Sequence, residues 1–250
     1  MVKLVVDIWK FFTRKGGKNM WTIGEIKERG KEAFRSNYWY CVLVSVILSI
    51  CAGGAGGSTS SSSMDPEKSE QLKEMISSLN PMVLAGIVGV IGVAAIVGIA
   101  LDILLFNPLL IGCNAFFSRN VRNTPASLNE IKEGFAGYGS KVLAMFLKDH
   151  FIFLWTCLFI IPGIIKSYSY RMVPYILADD PDISAMDAIT KSREMMNGNK
   201  MRAFCLDLSF IGWILLSIVT CGILAVFYVG PYMASTQGAL YEELKNQGNY

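Results

Sequence analysis

The chain has 250 residues, 52% of them hydrophobic and 17% charged, with a mean hydropathy of +0.41. Soluble domains are nearer roughly 45–50% apolar and about 25% charged, so a water-soluble globule is not expected. Twenty-three Lys and Arg against twenty Asp and Glu leave a net charge of only +3, too small an excess to suggest a nucleic-acid partner. The six cysteines (Cys41, Cys51, Cys113, Cys157, Cys205 and Cys221) form no C-x-x-C pair and lie in or beside apolar runs, as small hydrophobes do. With His150 as the single histidine, no His-based metal cluster can be assembled, and no cofactor is expected.

At the N-terminus Asp7, Lys10 and Arg14 interrupt the apolar core that a secretory signal needs. Residues 1–20 read as a basic stretch bearing Trp9, Phe11 and Phe12, suited either to an anionic membrane surface or to a loose tail, with Met20 as an alternative start. From Thr22, a Thr22/Glu25 capping box opens a helix with Ile23, Ile26, Ala33 and Phe34 as its apolar positions. Residues 1–37 thus form a basic cytoplasmic lead-in to a transmembrane domain over 38–244, and 245–250 are a C-terminal tail.

Tyr38 to Ala52 is uncharged and opens on three aromatics, making a first span. Residues 53–80 are an extracytoplasmic insert: a Gly/Ser linker over 53–63, then a short acid-leaning helix over 64–78. Met82 to Leu101 gives twenty residues without a charge, the clearest span, and Gly86, Gly89 and Gly92 suggest a packing face or self-association. Apolar character continues past Asp102 to Phe117; a straight helix of that length would reach roughly 54 Å, so a bend is expected at Asn107-Pro108.

A polar cytoplasmic loop over 118–141 carries Arg119, Arg122, Lys132 and Lys141, with a Ser127/Glu130 capping box. The third span, 142–161, is interrupted by Lys148, Asp149 and His150 and ends at a Pro162-Gly163 turn signal. Lys plus Arg number nine in 1–37, two in 53–81, four in 118–141 and four in 179–203, so the positive-inside rule requires the short segment 164–178 to cross. A hairpin of 204–221 and 223–240, turning near Thr220-Cys221-Gly222, completes an all-α polytopic bundle of about six spans with both termini cytoplasmic and short interfacial helices.

Charges inside spans are costly unless paired or hydrated. Asp149 lies eight residues after Lys141 and Arg171 seven before Ala178, which puts both about 10–12 Å from the cytoplasmic boundary in antiparallel helices. An Asp149–Arg171 ion pair is expected, with His150 and Asp102 as neighbours, serving either as a relay in a transporter core or as a lock on helix register. Lys166, Lys200 and Arg202 read as interfacial anchors, Lys166 snorkelling outward, and Asp207 as a carboxylate near a helix N-terminus. There is no nucleophile motif, Walker loop or Rossmann glycine pattern, so no catalytic residue is named.

IPGIIKSYSYRMVPYILADDPDISAMDAITKSREMMNGNKMRAFCLDLSFIGW, residues 161–213, resembles the bacterial integral membrane family called domain of unknown function 975. WTIGEIKERGKEAFRSNYW (21–39) and VGPYMASTQGALYEEL (229–244) extend the resemblance. It implies a multi-span plasma-membrane protein typical of Gram-positive bacteria and carries no activity over. The middle stretch is also distantly similar to the membrane domain attached to some glycerophosphodiester phosphodiesterases, whose hydrolase is a separate soluble domain with no counterpart read here. Within it, a Ser184/Asp187 capping box starts a helix with Ile183, Met186, Ile189, Met195 and Met196 apolar, expected along the inner membrane face and stopped by Gly198.

Three functions fit: a non-enzymatic supporting, regulatory or envelope-protection role; a transporter or permease subunit using the charges of spans three and four; or an intramembrane lipid-active enzyme. The expected partners are the lipid bilayer and a second copy or another membrane protein, with no nucleic acid.

Overall fold

A computed structural model describes residues 21–55, 80–122 and 125–248, and among them every regular element is helical. The basic stretch 1–20 and most of the 53–80 insert lie outside the described residues.

Helix α1 (Ile23–Ser36) opens on the expected reciprocal cap: the Glu25 N–H donates to the Thr22 hydroxyl, and the Thr22 N–H donates to the Glu25 carboxylate. Its apolar positions Ile23, Ile26, Ala33 and Phe34 are all buried. At Asn37 the chain turns by 107° into α2 (Tyr38–Ala55). That corner is held from inside, because the buried Asn37 amide donates to Asn120 Oδ1 (3.0 Å) and to the Ala126 carbonyl (2.9 Å). Asn120 in turn donates to the Ala33 carbonyl at 2.7 Å, so the polar groups of the corner are satisfied by protein.

Helix α3 (Pro81–Leu101) runs through a π turn (Asp102–Phe106) into α4 (Asn107–Arg122). The expected break at Asn107-Pro108 is absorbed instead: the 42 residues stay one helix, and the turn before the proline widens. Pro108 has no N–H for the Leu104 carbonyl four residues back, and the Tyr138 hydroxyl donates to that oxygen at 2.6 Å. Such a helix is about 63 Å long, twice a hydrocarbon core of about 30 Å. Its second half packs inside the protein: α4 buries Ile111, Cys113, Phe116 and Phe117 completely in the core.

The segment 118–141 is likewise less of a loop than expected. Arg119 and Arg122 are on the last turn of α4, a 3-10 helix occupies Leu128–Phe135, and Lys141 is buried in α5 (Tyr138–Leu158). Ser127 caps the 3-10 helix through the Asn129 N–H, while Glu130 pairs with Arg119 rather than closing a box.

The chain reverses at Phe159, which is extended, into α6 (Ile160–Ser169). Pro162-Gly163 therefore does not end the preceding helix. Pro162 sits in the first turn of α6, where a missing N–H costs nothing, and Gly163 lets the hairpin close, since a Cβ there would lie 2.3 Å from the Thr156 hydroxyl. Nor is 164–178 a single crossing helix. It breaks after Ser169, and α7 (Val173–Asp179) is buried in protein along Val173–Ala178.

Helix α8 (Ala185–Met195) starts at Ser184, whose hydroxyl accepts from the Asp187 N–H and donates to its carboxylate. Its apolar side packs on protein: Ile189, Met195 and Met196 are buried in the core, and of the expected apolar positions only Met186 is exposed. After Gly198 (φ 77°), α9 (Lys200–Leu208) and α10 (Ile211–Val219) form a second long apolar run. Cys221 and Gly222 make the expected turn with positive φ, and a π turn (Ala225–Val229) leads into the largely buried α11 (Gly230–Gly248). Among the described residues two helical runs, Pro81–Arg122 and Lys200–Val219, are long and apolar enough to cross a membrane, or three if the bent α1–α2 pair is one broken span.

Candidate functional site

The charged residues singled out from the sequence do not form one cluster. Arg171 is paired with Asp207, not with Asp149: its guanidinium donates to both carboxylate oxygens at 2.7 and 2.8 Å, and the Tyr168 hydroxyl donates to the same carboxylate at 2.8 Å. This bidentate lock ties the break after α6 to α9. Equal depth was the wrong criterion for Asp149, because facing the same neighbour decides a pair and the α5 carboxylate points elsewhere. Asp149 is exposed and reaches only the adjacent Lys148 at 3.1 Å, while His150 stacks on Phe146. Asp102 in the π turn feels the charges of Asp149 and Lys148, and its Oδ1 is buried without a hydrogen-bond partner among the described residues.

Of the four proposed anchors, Asp207 is thus a structural ion-pair partner. Arg202 is also engaged in the protein, donating to the Trp21 carbonyl at 3.1 Å and lying over the Trp21 ring. Trp21 donates in turn to Asn199, just ahead of α9. The Lys166 ammonium sits 4.8 Å from the Trp155 ring centre and lines a cleft with Arg193 and Lys200.

A second charged knot went unnoticed in the sequence. Asp179, at the end of α7, accepts from Lys245 (2.5 Å), Tyr241 (2.7 Å) and Arg122 (3.2 Å), and Arg122 also pairs with buried Glu242 at 2.8 Å. Burial alone would raise the Asp179 carboxyl, but the hydrogen bonds from Lys245 and Tyr241 and the Arg122 charge outweigh it and hold it below its ordinary range. Arg119 joins Glu130 and Glu133 nearby, and buried Lys141 donates to the Glu133 carbonyl. The groups around Asp179 sit toward the ends of α4, α7 and α11, so the only advance signal is that each of these helices closes on charged residues.

A further polar feature is a cleft of about 320 Å³ where α6, the end of α8 and the start of α9 meet, lined by Lys166, Ser169, Thr190, Arg193, Glu194 and Lys200 among others. An apolar groove of about 470 Å³ lies between α2, α10 and the start of α11, with Ser45, Ser49 and Ser217 as its polar groups.

No curated protein and no solved structure matches this chain. The expected resemblance at 21–39 lies outside the stretch that a family model recognises. Residues 158–248, which hold Arg171, Asp207, Asp179 and the whole cleft, match the family described as Protein of unknown function (DUF975).

Proposed function

We propose that this is a multi-pass plasma-membrane protein with a non-enzymatic supporting or regulatory role, its chain crossing about six times with both termini cytoplasmic. The observation that carries this reading is how the charges are used. Arg171, Asp207, Arg122, Asp179, Glu242, Lys245, Arg119, Glu130 and Glu133 are tied to one another across helices, whereas α3, the α5–α6 tip and the turn after α10 leave apolar side chains uncovered. Ties of this kind fix an arrangement of broken helices, as a docking scaffold requires. The basic segments 118–141 and 179–203 fall largely in the charged, well-packed end, consistent with that end facing the cytoplasm.

Two exposed cysteines report on the crossing. Cys157 lies beside the α5–α6 turn and Cys221 in the turn after α10. A membrane-impermeant maleimide applied to intact cells is expected to label both; no labelling at Cys157 would reduce the α5–α6 pair to a hairpin dipping into the bilayer. For the role, gentle co-purification of the tagged protein is expected to bring a stoichiometric membrane partner. A clean homo-oligomer that moves solute in liposomes would overturn the supporting role. That transport reading rests on one observation, the unpartnered Asp102 Oδ1 in the π turn.

A further inference from the structure

Three cations from three separate helices meet in the cleft between α6, α8 and α9. Lys166 and Lys200 are half-buried and Arg193 is exposed, and the Arg193 and Lys200 charges both act on the Lys166 ammonium. None of the three makes an ion pair among the described residues, unlike Arg119, Arg122, Arg171 and Lys245. Among the described residues Glu194 is the only carboxylate in the lining. A cleft lined by like charges concentrates the opposite charge in its mouth.

The position of the cations is built into the core. Buried Ser192, next to Arg193, donates to the Ser169 carbonyl at 2.9 Å and accepts from the Met172 N–H at 3.2 Å. These two hydrogen bonds to the break between α6 and α7 set α8 in register against α6, and so set Arg193 against Lys166. Lys200 is placed independently, by the Trp21–Asn199 hydrogen bond just ahead of α9.

We infer that this cleft binds a phosphate ester, supplied by the headgroup of an anionic lipid. A phosphate offers several acceptor oxygens at once to a guanidinium, two ammonium groups and the Thr190 hydroxyl. The cavity, about 320 Å³, matches the small end of ligand sites. A lipid is the favoured source because the helices that carry two of the cations also carry exposed apolar side chains: Ile164 and Ile165 immediately before Lys166 in α6, and Met201 and Phe204 just after Lys200 in α9. Acyl chains would lie against these while the phosphate sits among the cations. The inference rests on the membrane reading above.

The test uses full-length protein in mild detergent, with native mass spectrometry of retained lipid in an equimolar mixture of phosphatidylglycerol and phosphatidylcholine. Wild type is expected to retain phosphatidylglycerol selectively. Lys166→Gln, Arg193→Gln and Lys200→Gln should each weaken it about fivefold at low salt, Glu194→Gln should strengthen it, and Lys132→Gln, exposed and outside the cleft, should change nothing. The triple variant should lose the selectivity; should it fail to fold, Arg193→Gln alone decides, since that side chain is exposed. Unchanged selectivity in the variants overturns the site. Glycerol phosphate binding as tightly as the lipid overturns the lipid source and leaves a soluble phosphate ester in its place. The cysteine labelling is independent of these results, so failure here and failure of the membrane reading are told apart.

Discussion

The two halves of the 42-residue helix that starts at Pro81 differ in composition and burial in opposite senses. Helix α3 has no charged residue and buries none of its side chains, whereas α4 contains Asn107, Asn114, Ser118 and Asn120 and buries all four. In water, burial follows apolar character. Here the apolar half is the uncovered one, as the membrane reading proposed above requires, since hydrocarbon tails would solvate it at no cost, while the polar half finds its hydrogen bonds inside the protein. Burial of a segment in this chain is therefore read from its polar groups and their partners.

The largest test of that contrast adds volume to each half. At Gly134 on the 3-10 helix, a Cβ would lie 2.0 Å from the Pro108 carbonyl of α4, and at Gly112 one would lie 2.1 Å from the Ile131 carbonyl. Backbone on both sides cannot yield, so Gly134→Val should cost about 3 kcal/mol or more and remove the monodisperse peak in size-exclusion chromatography. At Gly89 in α3 nothing lies within 4 Å, and Gly89→Val should leave the melting temperature of the monomer unchanged. A loss of stability on both sides would mean that a second chain covers α3.

Next in size is the ion pair that replaced the expected one. Arg171 is mostly buried and held by two hydrogen bonds, so Arg171→Gln should destabilise by about 3 kcal/mol through the carboxylate left unpaired. Asp207→Asn in the Arg171→Gln background should cost far less than alone, with a coupling above about 1 kcal/mol in detergent melts. Asp149→Asn should be near neutral and additive with Arg171→Gln. Coupling to Asp149 in place of Asp207 would restore the depth-matched pair.

What could be read ahead of the structure follows the same physics. The cap at Thr22, the apolar face of α1, the uncharged run of α3 and the turn at Cys221-Gly222 are local, and each is set by residues within a few positions. The partner of Arg171 is 36 residues away, that of Asn37 is 83 away, and that of Asp179 is 66 away in Lys245. Such pairings depend on how helices fold back, which hydropathy does not encode. Lys166, Lys200, Arg202 and Asp207 were visible as charges beside apolar runs, but whether each meets protein or headgroup depended on Trp21, Arg171 and Arg193 arriving from elsewhere.

A smaller effect is expected from pH at the Asp179 knot. Its carboxyl is held below the ordinary range in the folded state, so its contribution is complete above the unfolded value near about 4 and is lost as pH falls through the folded one. Wild type should therefore lose melting temperature between about pH 5 and 3 more steeply than Asp179→Asn, which starts lower and has no carboxylate there to titrate. Parallel curves would show that the knot adds nothing to stability and that the packing of α7 alone holds it.

The smallest effect isolates the joint between the two halves of the long helix. The Leu104 carbonyl loses its helical donor to Pro108, and the hydroxyl of Tyr138 supplies one from the start of α5 at 2.6 Å. Tyr138→Phe removes that donor and little else, leaving the oxygen to find another partner. The cost should be about 1 kcal/mol if the carbonyl sits among apolar side chains and close to zero if water reaches it. The double variant Pro108→Ala with Tyr138→Phe separates the two, because alanine restores an N–H to the helix. If the hydroxyl is there to compensate the proline, Tyr138→Phe costs less in the Pro108→Ala background than in wild type. Equal costs would mean that Tyr138 positions α5 by packing and that the π turn holds α3 to α4 without its help.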